Sequence, residues 1–238
     1  MAHTRAQQPQ MLREAFREMM KGVATSTPGH ILAFDPVTQL AQVQIGIIRV
    51  DLSGATFEPP AIIETPVYFP GDDYHIEYQI DPGCEGDILF SQRCVDGWIQ
   101  TGGIAANPIG RFHDPQDAFF LPGFRSMPNK LPAFQNNGVR LSNKTGTQFA
   151  WLKNDNTITL NNGVANFNLM PDGSASMQNG SGFIRIGADG VVNINGVTID
   201  AASLVSTPND VKAGTIFLKT HRHTGVTTGA GTSGTPTP

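Results

Sequence analysis

The chain has 238 residues, 39% hydrophobic and only 15% charged, with a formal net charge of -4, which is material for one or two domains with their own core. The negative balance and the lack of any Lys/Arg run argue against a protein that coats nucleic acid, because phosphate binding relies on clustered cations. No apolar run approaches the roughly 18 residues of a membrane-spanning helix, and Met1–Gln8 carries no apolar segment behind its positive charge, so no secretory signal is expected.

Gln10–Lys21 predicts the one convincing helix. Met11, Ala15 and Met19 recur at four-residue spacing, as do Leu12, Phe16 and Met20, while Arg13, Glu14, Arg17 and Glu18 take the other side. A face of this kind packs on the parent domain or on a neighbouring copy; its polar side mixes both signs and does not suit a membrane surface.

From His30 to about Phe112 the pattern becomes short strands between turn residues. Ile31-Leu32-Ala33-Phe34 precedes Asp35-Pro36, Leu40–Ile45 alternates, and Pro82-Gly83-Cys84-Glu85-Gly86-Asp87 turns into Ile88-Leu89-Phe90. Asp96-Gly97 reads as a hairpin turn before Trp98-Ile99-Gln100. About five strands in this length match a small closed barrel of the oligonucleotide/oligosaccharide-binding (OB) type. No basic groove accompanies it, so the barrel shape alone does not imply nucleic-acid binding. Cys84 and Cys94 lack the spacing of a metal knuckle and read as buried thiols.

Asp114–Gly138 reads as a docked connector. Pro115, Pro122, Pro128 and Pro132 oppose a continuous helix or central strand, and Phe119, Phe120, Leu121, Phe124 and Phe134 imply that it is packed down.

After Leu141 the chain repeats. Asp155, Asp172 and Asp189 stand 17 residues apart, and the pairs Asn162-Gly163, Asn179-Gly180 and Asn195-Gly196 follow at 17 and 16, the mark of a stacked array. Apolar residues alternate within each copy: Ile158 and Leu160, Phe167 and Leu169, Ala175 and Met177, Ile184 and Ile186, Val192 and Ile194, Val197 and Ile199. Each strand therefore has one dry and one wet face. Two short strands per copy cannot bury that dry face, and the simplest cover is the same segment of neighbouring chains, three of which would form a closed β-prism. A monomeric single-chain β-helix is the alternative, and three copies are short for one.

The tail runs Lys219-Thr220-His221-Arg222-His223-Thr224-Gly225 and ends in Ser233-Gly234-Thr235-Pro236-Thr237-Pro238. On a strand, His221 and His223 would share a face. Two imidazoles are half of a metal site. His3, His30, His75 and His113 are scattered and read as surface or barrel histidines.

A helix, an OB barrel, a repetitive β stem and a His-x-His apex in this order resemble the membrane-piercing central spike proteins of contractile-tailed bacteriophages. The apex, Val211–Val226 with its Leu-Lys-Thr-His-x-His-x-Gly-Val core, carries the resemblance most specifically. It implies a mainly β homotrimer divided as follows: residues 1–29 helix and arm, 30–113 OB domain, 114–140 linker, 141–206 intertwined trimeric β-helical stem, 207–238 apex. It further implies one iron (Fe2+) per trimer, held octahedrally by the six nitrogens of His221 and His223 from three chains, which agrees with the ligand preference of that metal. The implied role is a baseplate spike in the virion that is not an enzyme. It would be docked to tail hub proteins through its N-terminal region and driven through the host outer membrane, with no nucleic-acid partner.

Two other functions stand beside it. A spike-associated cell-wall hydrolase would need paired carboxylates in a cleft, with Glu58, Glu64, Glu77 and Glu85 available. A glycan-binding tail fibre would use exposed stem aromatics, with Phe149, Trp151 and Phe183 as candidates. The chain lacks a phosphate-binding Gly-Lys-Ser/Thr loop, a Gly-x-Ser-x-Gly elbow and a His-Glu-x-x-His motif. Asn143-Lys144-Thr145 has the form of a glycosylation site without the export that would make it one.

Overall fold

The computed structural model describes residues 8–51, 53–106, 109–225, 227 and 229–231. The fold is mainly β and divides into two units, residues 1–130 and 131–238.

The first unit opens with helix α1 (Gln8–Lys21), whose amphipathic repeat is the one expected. Strands β1 (Ser26–Asp35), β2 (Leu40–Ile45), the short hairpin β3 (Arg49–Val50) and β4 (Thr56–Phe57), β5 (Ile62–Pro66) and β6 (Glu85–Phe90) follow, then helix α2 (Asp96–Thr101) and β7 (Ala118–Pro122). The main sheet runs β5-β2-β1-β6-β7, all neighbours antiparallel. Its ends meet through a parallel bridge between Val67 and Phe120, where Tyr68 N–H donates to the Phe120 carbonyl at 2.9 Å. The sheet is thereby curled into a small barrel whose two ends touch at this bridge. Ile31, Val43, Ile62, Ile88 and Phe120 fill it.

Two expectations are corrected here. The barrel does not stop at residue 113: β7 lies in the stretch read as a connector. Its Ala118 and Phe120 alternate into the core while Pro122 sits at the strand end, where a missing N–H is tolerated. Phe124 and Phe134 of the same stretch are exposed. Asp96-Gly97 does not turn a hairpin either. Ile99 N–H donates to the Val95 carbonyl and Gly102, at φ 66°, closes the short helix α2 on Trp98, while Trp98 packs edge-on against Phe119 with ring centroids 5.8 Å apart.

Gly29 and Gly86 face each other across β1 and β6. A Cβ on Gly29 would lie 2.5 Å from the Gln44 carbonyl oxygen, and one on Gly86 would lie 2.4 Å from that of Leu121. Strands curl this tightly only where a side chain is missing. Gly86→Ala is therefore expected to destabilise the barrel by about 1–3 kcal/mol, read as a lower denaturation midpoint; an unchanged midpoint would refute the tight approach.

The second unit is an antiparallel meander of nine strands in sequence order: β8 (Gly138–Ser142), β9 (Phe149–Lys153), β10 (Ile158–Asn161), β11 (Ala165–Leu169), β12 (Ala175–Asn179), β13 (Gly182–Ile186), β14 (Val192–Ile194), β15 (Val197–Ile199) and β16 (Val205–Ser206). A further hairpin, β17 (Lys212–Ala213) and β18 (Ile216–Phe217), precedes the histidines.

The turns explain the repeat. Asp155, Asp172, Asp189 and Asp200 close β9–β10, β11–β12, β13–β14 and β15–β16, each carboxylate accepting the N–H two residues on at 2.9–3.1 Å. Asn195 (φ 48°) and Gly196 (φ 92°) make the tight β14–β15 turn. The Thr157 N–H holds the Asp155 carboxyl, and the Ser174 hydroxyl the Asp172 carboxyl, below the ordinary value of 3.8. A depressed folded-state pKa contributes stability above the unfolded value and loses it as pH falls through the folded one. Melting of the wild type is thus expected to weaken below about pH 4. Asp155→Asn with Asp172→Asn, which keeps both acceptors, should flatten that acid limb; an unaltered limb would contradict the assignment.

Candidate functional site

Strand register places the apolar residues of the second unit in two continuous rows. One runs Leu141, Ala150, Leu160, Phe167, Met177, Ile184, Ile194 and Val197; the other runs Val139, Leu152, Ile158, Leu169, Ala175, Ile186, Val192, Ile199 and Val205. Alternation puts both rows on one face. The intervening row, Arg140, Trp151, Thr159, Asn168, Ser176, Arg185, Asn193, Thr198 and Ser206, takes the other.

The apolar face is uncovered. All the fully buried apolar residues among those described belong to the barrel unit, whereas Met177 is 53% and Ile184 43% exposed. Exposed contiguous apolar surface on this scale marks an interaction site. On the polar face, by contrast, Thr159 is buried, and Arg140 lies over the Phe149 ring at 4.1 Å. Phe149 and Trp151 meet edge to face with centroids 5.9 Å apart, so these candidate sugar platforms are occupied with one another and with Arg140.

His221 and His223 do not stand on a strand: β18 ends at Phe217, and the pair follows the turn over residues 218–220. Their rings still meet, with centroids 5.0 Å apart at 80°, and both residues are exposed. The Leu218 carbonyl lies 2.6 Å from His221 Nδ1 and can only accept, so Nδ1 carries the proton. Nε2 is then the ring nitrogen left for a metal, as in a histidine oriented by a backbone carbonyl. The donor chemistry suits a first-row transition metal, and two imidazoles leave such an ion short of its ligands unless other chains contribute. The closing Ser233–Pro238 run lies outside the described residues, as does His3.

The carboxylates named above take separate roles. Glu85 accepts from Ser126 N–H (2.7 Å), Ser126 Oγ (2.8 Å) and Asn129 Nδ2 (2.5 Å), which hold its carboxyl below the usual range. Glu77 pairs with His75 at 2.9 Å and raises the imidazole pKa. Glu58 and Glu64, both exposed, line a cavity of about 990 Å³ beside the barrel. Cys94 is buried and Cys84 half-buried; His30 lies in β1, and His113 hydrogen-bonds the Ala24 carbonyl at 3.0 Å.

One grouping escaped the sequence. Cys94, Asp96 and Asp117 bring ligand atoms within 4.8 Å of one another, but the Arg111 guanidinium already sits among them. It donates from Nε to Asp117 Oδ2 (2.9 Å), and from a terminal nitrogen to Asp117 Oδ1 (2.8 Å), Asp96 Oδ1 (2.8 Å) and Cys94 Sγ (3.1 Å). It is a structural knot, and only the local Asp/Arg density hinted at it.

A small curled barrel is followed in the chain by a repetitive sheet with one uncovered apolar face. Residues 27–123, the barrel from β1 through β7, match the family model described as the N-terminal domain of phage protein Gp138. The match supports a phage structural protein, and a place in the virion is consistent with it. No curated protein matches the chain.

Proposed function

We propose that this chain is the central spike of a contractile phage tail, a trimeric needle that pierces the host outer membrane as the sheath shortens. The observation that carries the proposal is the pair of apolar rows along the second unit, uncovered in a single chain. Three such faces turned inward form a continuous dry core, and the closed prism has the stiffness that a needle requires. The phage domain over residues 27–123 supplies the context. The barrel unit would face the tail hub.

At the narrow end, His221 and His223 from three chains would hold one ferrous iron through six imidazole nitrogens. The ion would tie together chain ends that fray first, because metal bound only by the assembled tip adds to its stability. No catalytic step is needed. The hydrolase reading is disfavoured by the exposure of Glu58 and Glu64, since a general acid with a raised pKa needs burial.

Mass in solution coupled to elemental analysis tests the proposal: a three-chain particle with about one iron is expected, and a metal-free monomer refutes it. His221→Ala with His223→Ala should abolish bound iron and lower tip stability while the three-chain mass persists through the stem. Full iron content in that variant would remove the histidines from the site.

A further inference from the structure

Helix α1 and the cavity beside the barrel are two halves that the single chain leaves apart. Every described side chain of α1 is exposed, including Met11, Leu12, Phe16, Met19 and Met20. A helix of 14 residues is marginal alone in water and is normally held by packing of its apolar stripe. The cavity, in turn, is walled by Ile45, Ile47, Phe57, Ile62, Ile63 and Ile99, and its volume is in the range of working binding sites.

The barrel is shaped to present this groove. Ala41 pairs with Thr65 and Val43 with Ile62, so β5 carries one extra residue opposite β2. The bulge holds Glu64 at φ 53°, a left-handed conformation rare for a non-glycine residue, and leaves Ile63 exposed at the groove. Bulges re-aim side chains in this way, and backbone strain of this kind concentrates at sites of use.

Charge complements the fit. Arg13 and Arg17 flank one side of the apolar stripe, and Glu58 and Glu64 stand on the groove; none of the four has an ion-pair partner among the described residues. Arg49, also on the groove, suits the acidic flank that carries Glu14.

The tether decides whose helix enters. Val23 and Ala24, two and three residues past the end of α1, themselves line the groove. Ala24 is fixed on both sides by His113, its N–H donating to the His113 carbonyl at 3.2 Å and its carbonyl accepting from His113 Nδ1 at 3.0 Å. Gly22 and Val23 meanwhile donate back into the last helical turn. The helix leaves from the rim with no slack to reverse into its own groove.

We propose that the groove takes helix α1 of a second copy of this chain, so that neighbouring barrels are latched by exchanged helices. The inference rests on the self-association proposed above and gives α1 a definite partner within the assembly.

Full-length chain carrying both Phe16→Cys and Ile63→Cys, oxidised in its native state, tests it against the two single variants. Bands at two- and three-chain mass on a non-reducing denaturing gel, absent from both single variants, are expected. A bond confined to one chain, or no bond beyond the single variants, overturns the exchange. The native mass of the wild type separates the two claims: a three-chain particle without the cross-link overturns the latch alone, and a monomer overturns both.

Discussion

Met177→Asp is expected to convert the proposed three-chain assembly to single chains, with the barrel still folded. Met177 sits mid-sheet on β12, opposite Phe167 on β11 and Ile184 on β13, in the middle of an apolar row. Burying a Met side chain stabilises by about 1.5–3 kcal/mol, and the substitution removes that in every copy. In the proposed trimer it also places a carboxylate from each copy in the dry interior, where the penalty per unpaired ion is several kcal/mol. Repeated by symmetry, the cost exceeds what neighbouring contacts can offset. Gln178→Asp, the next residue on the same strand but on the opposite face, is the matched control and should leave the mass unchanged. Sedimentation of the two variants reads the difference directly. Equal masses would mean that the apolar rows are not the contact surface.

The same alternation that frames this experiment made the second unit legible from sequence. A period of two fixes which face each residue takes, and Asp and Asn-Gly turns fix where each strand stops, so the local pattern and the final register coincide. The fourth Asp turn, at Asp200, went unread because the repeat shortens before it. Helix α1 was legible for the same reason, a strong 3.6-residue stripe. What stayed hidden depends on partners distant in the chain. β7 is short and flanked by prolines, and only the contact of Phe120 with the barrel core makes it a strand. Gly29 and Gly86 look like ordinary turn-forming residues until register sets them face to face. At the candidate tip, the histidines were found by type and spacing, but their meeting arises from a turn and the Leu218 carbonyl, not from strand alternation.

Arg111, Asp96 and Asp117 form another such long-range feature, and Asp117→Ala should be among the most damaging single changes in the barrel unit. Asp117 is fully buried, and burial alone would raise its carboxyl pKa. The Arg111 guanidinium and the Val95 N–H, which donates to Oδ1 at 3.0 Å, overcome this and hold it below the usual range. Its backbone carbonyl also accepts the Ser91 N–H at 2.7 Å. One residue thus anchors both ends of the excursion between β6 and β7, including α2. Removing the carboxylate leaves the half-buried guanidinium with the exposed Asp96 as its one remaining ionic partner among the described residues and leaves the Val95 amide without its acceptor, a loss of about 2–4 kcal/mol, a large part of the 5–15 kcal/mol typical of a domain. Asp117→Ala combined with Arg111→Met should recover part of that loss, because the second change removes a half-buried charge that has lost its buried partner. A depressed folded-state pKa also means that this stabilisation is present above the unfolded carboxylate value and disappears as pH falls through the folded one. The gap between wild type and Asp117→Ala in denaturant midpoint should therefore close on acidification. A gap independent of pH, or a double variant no more stable than the single one, would show that Asp117 acts through packing and not through its charge.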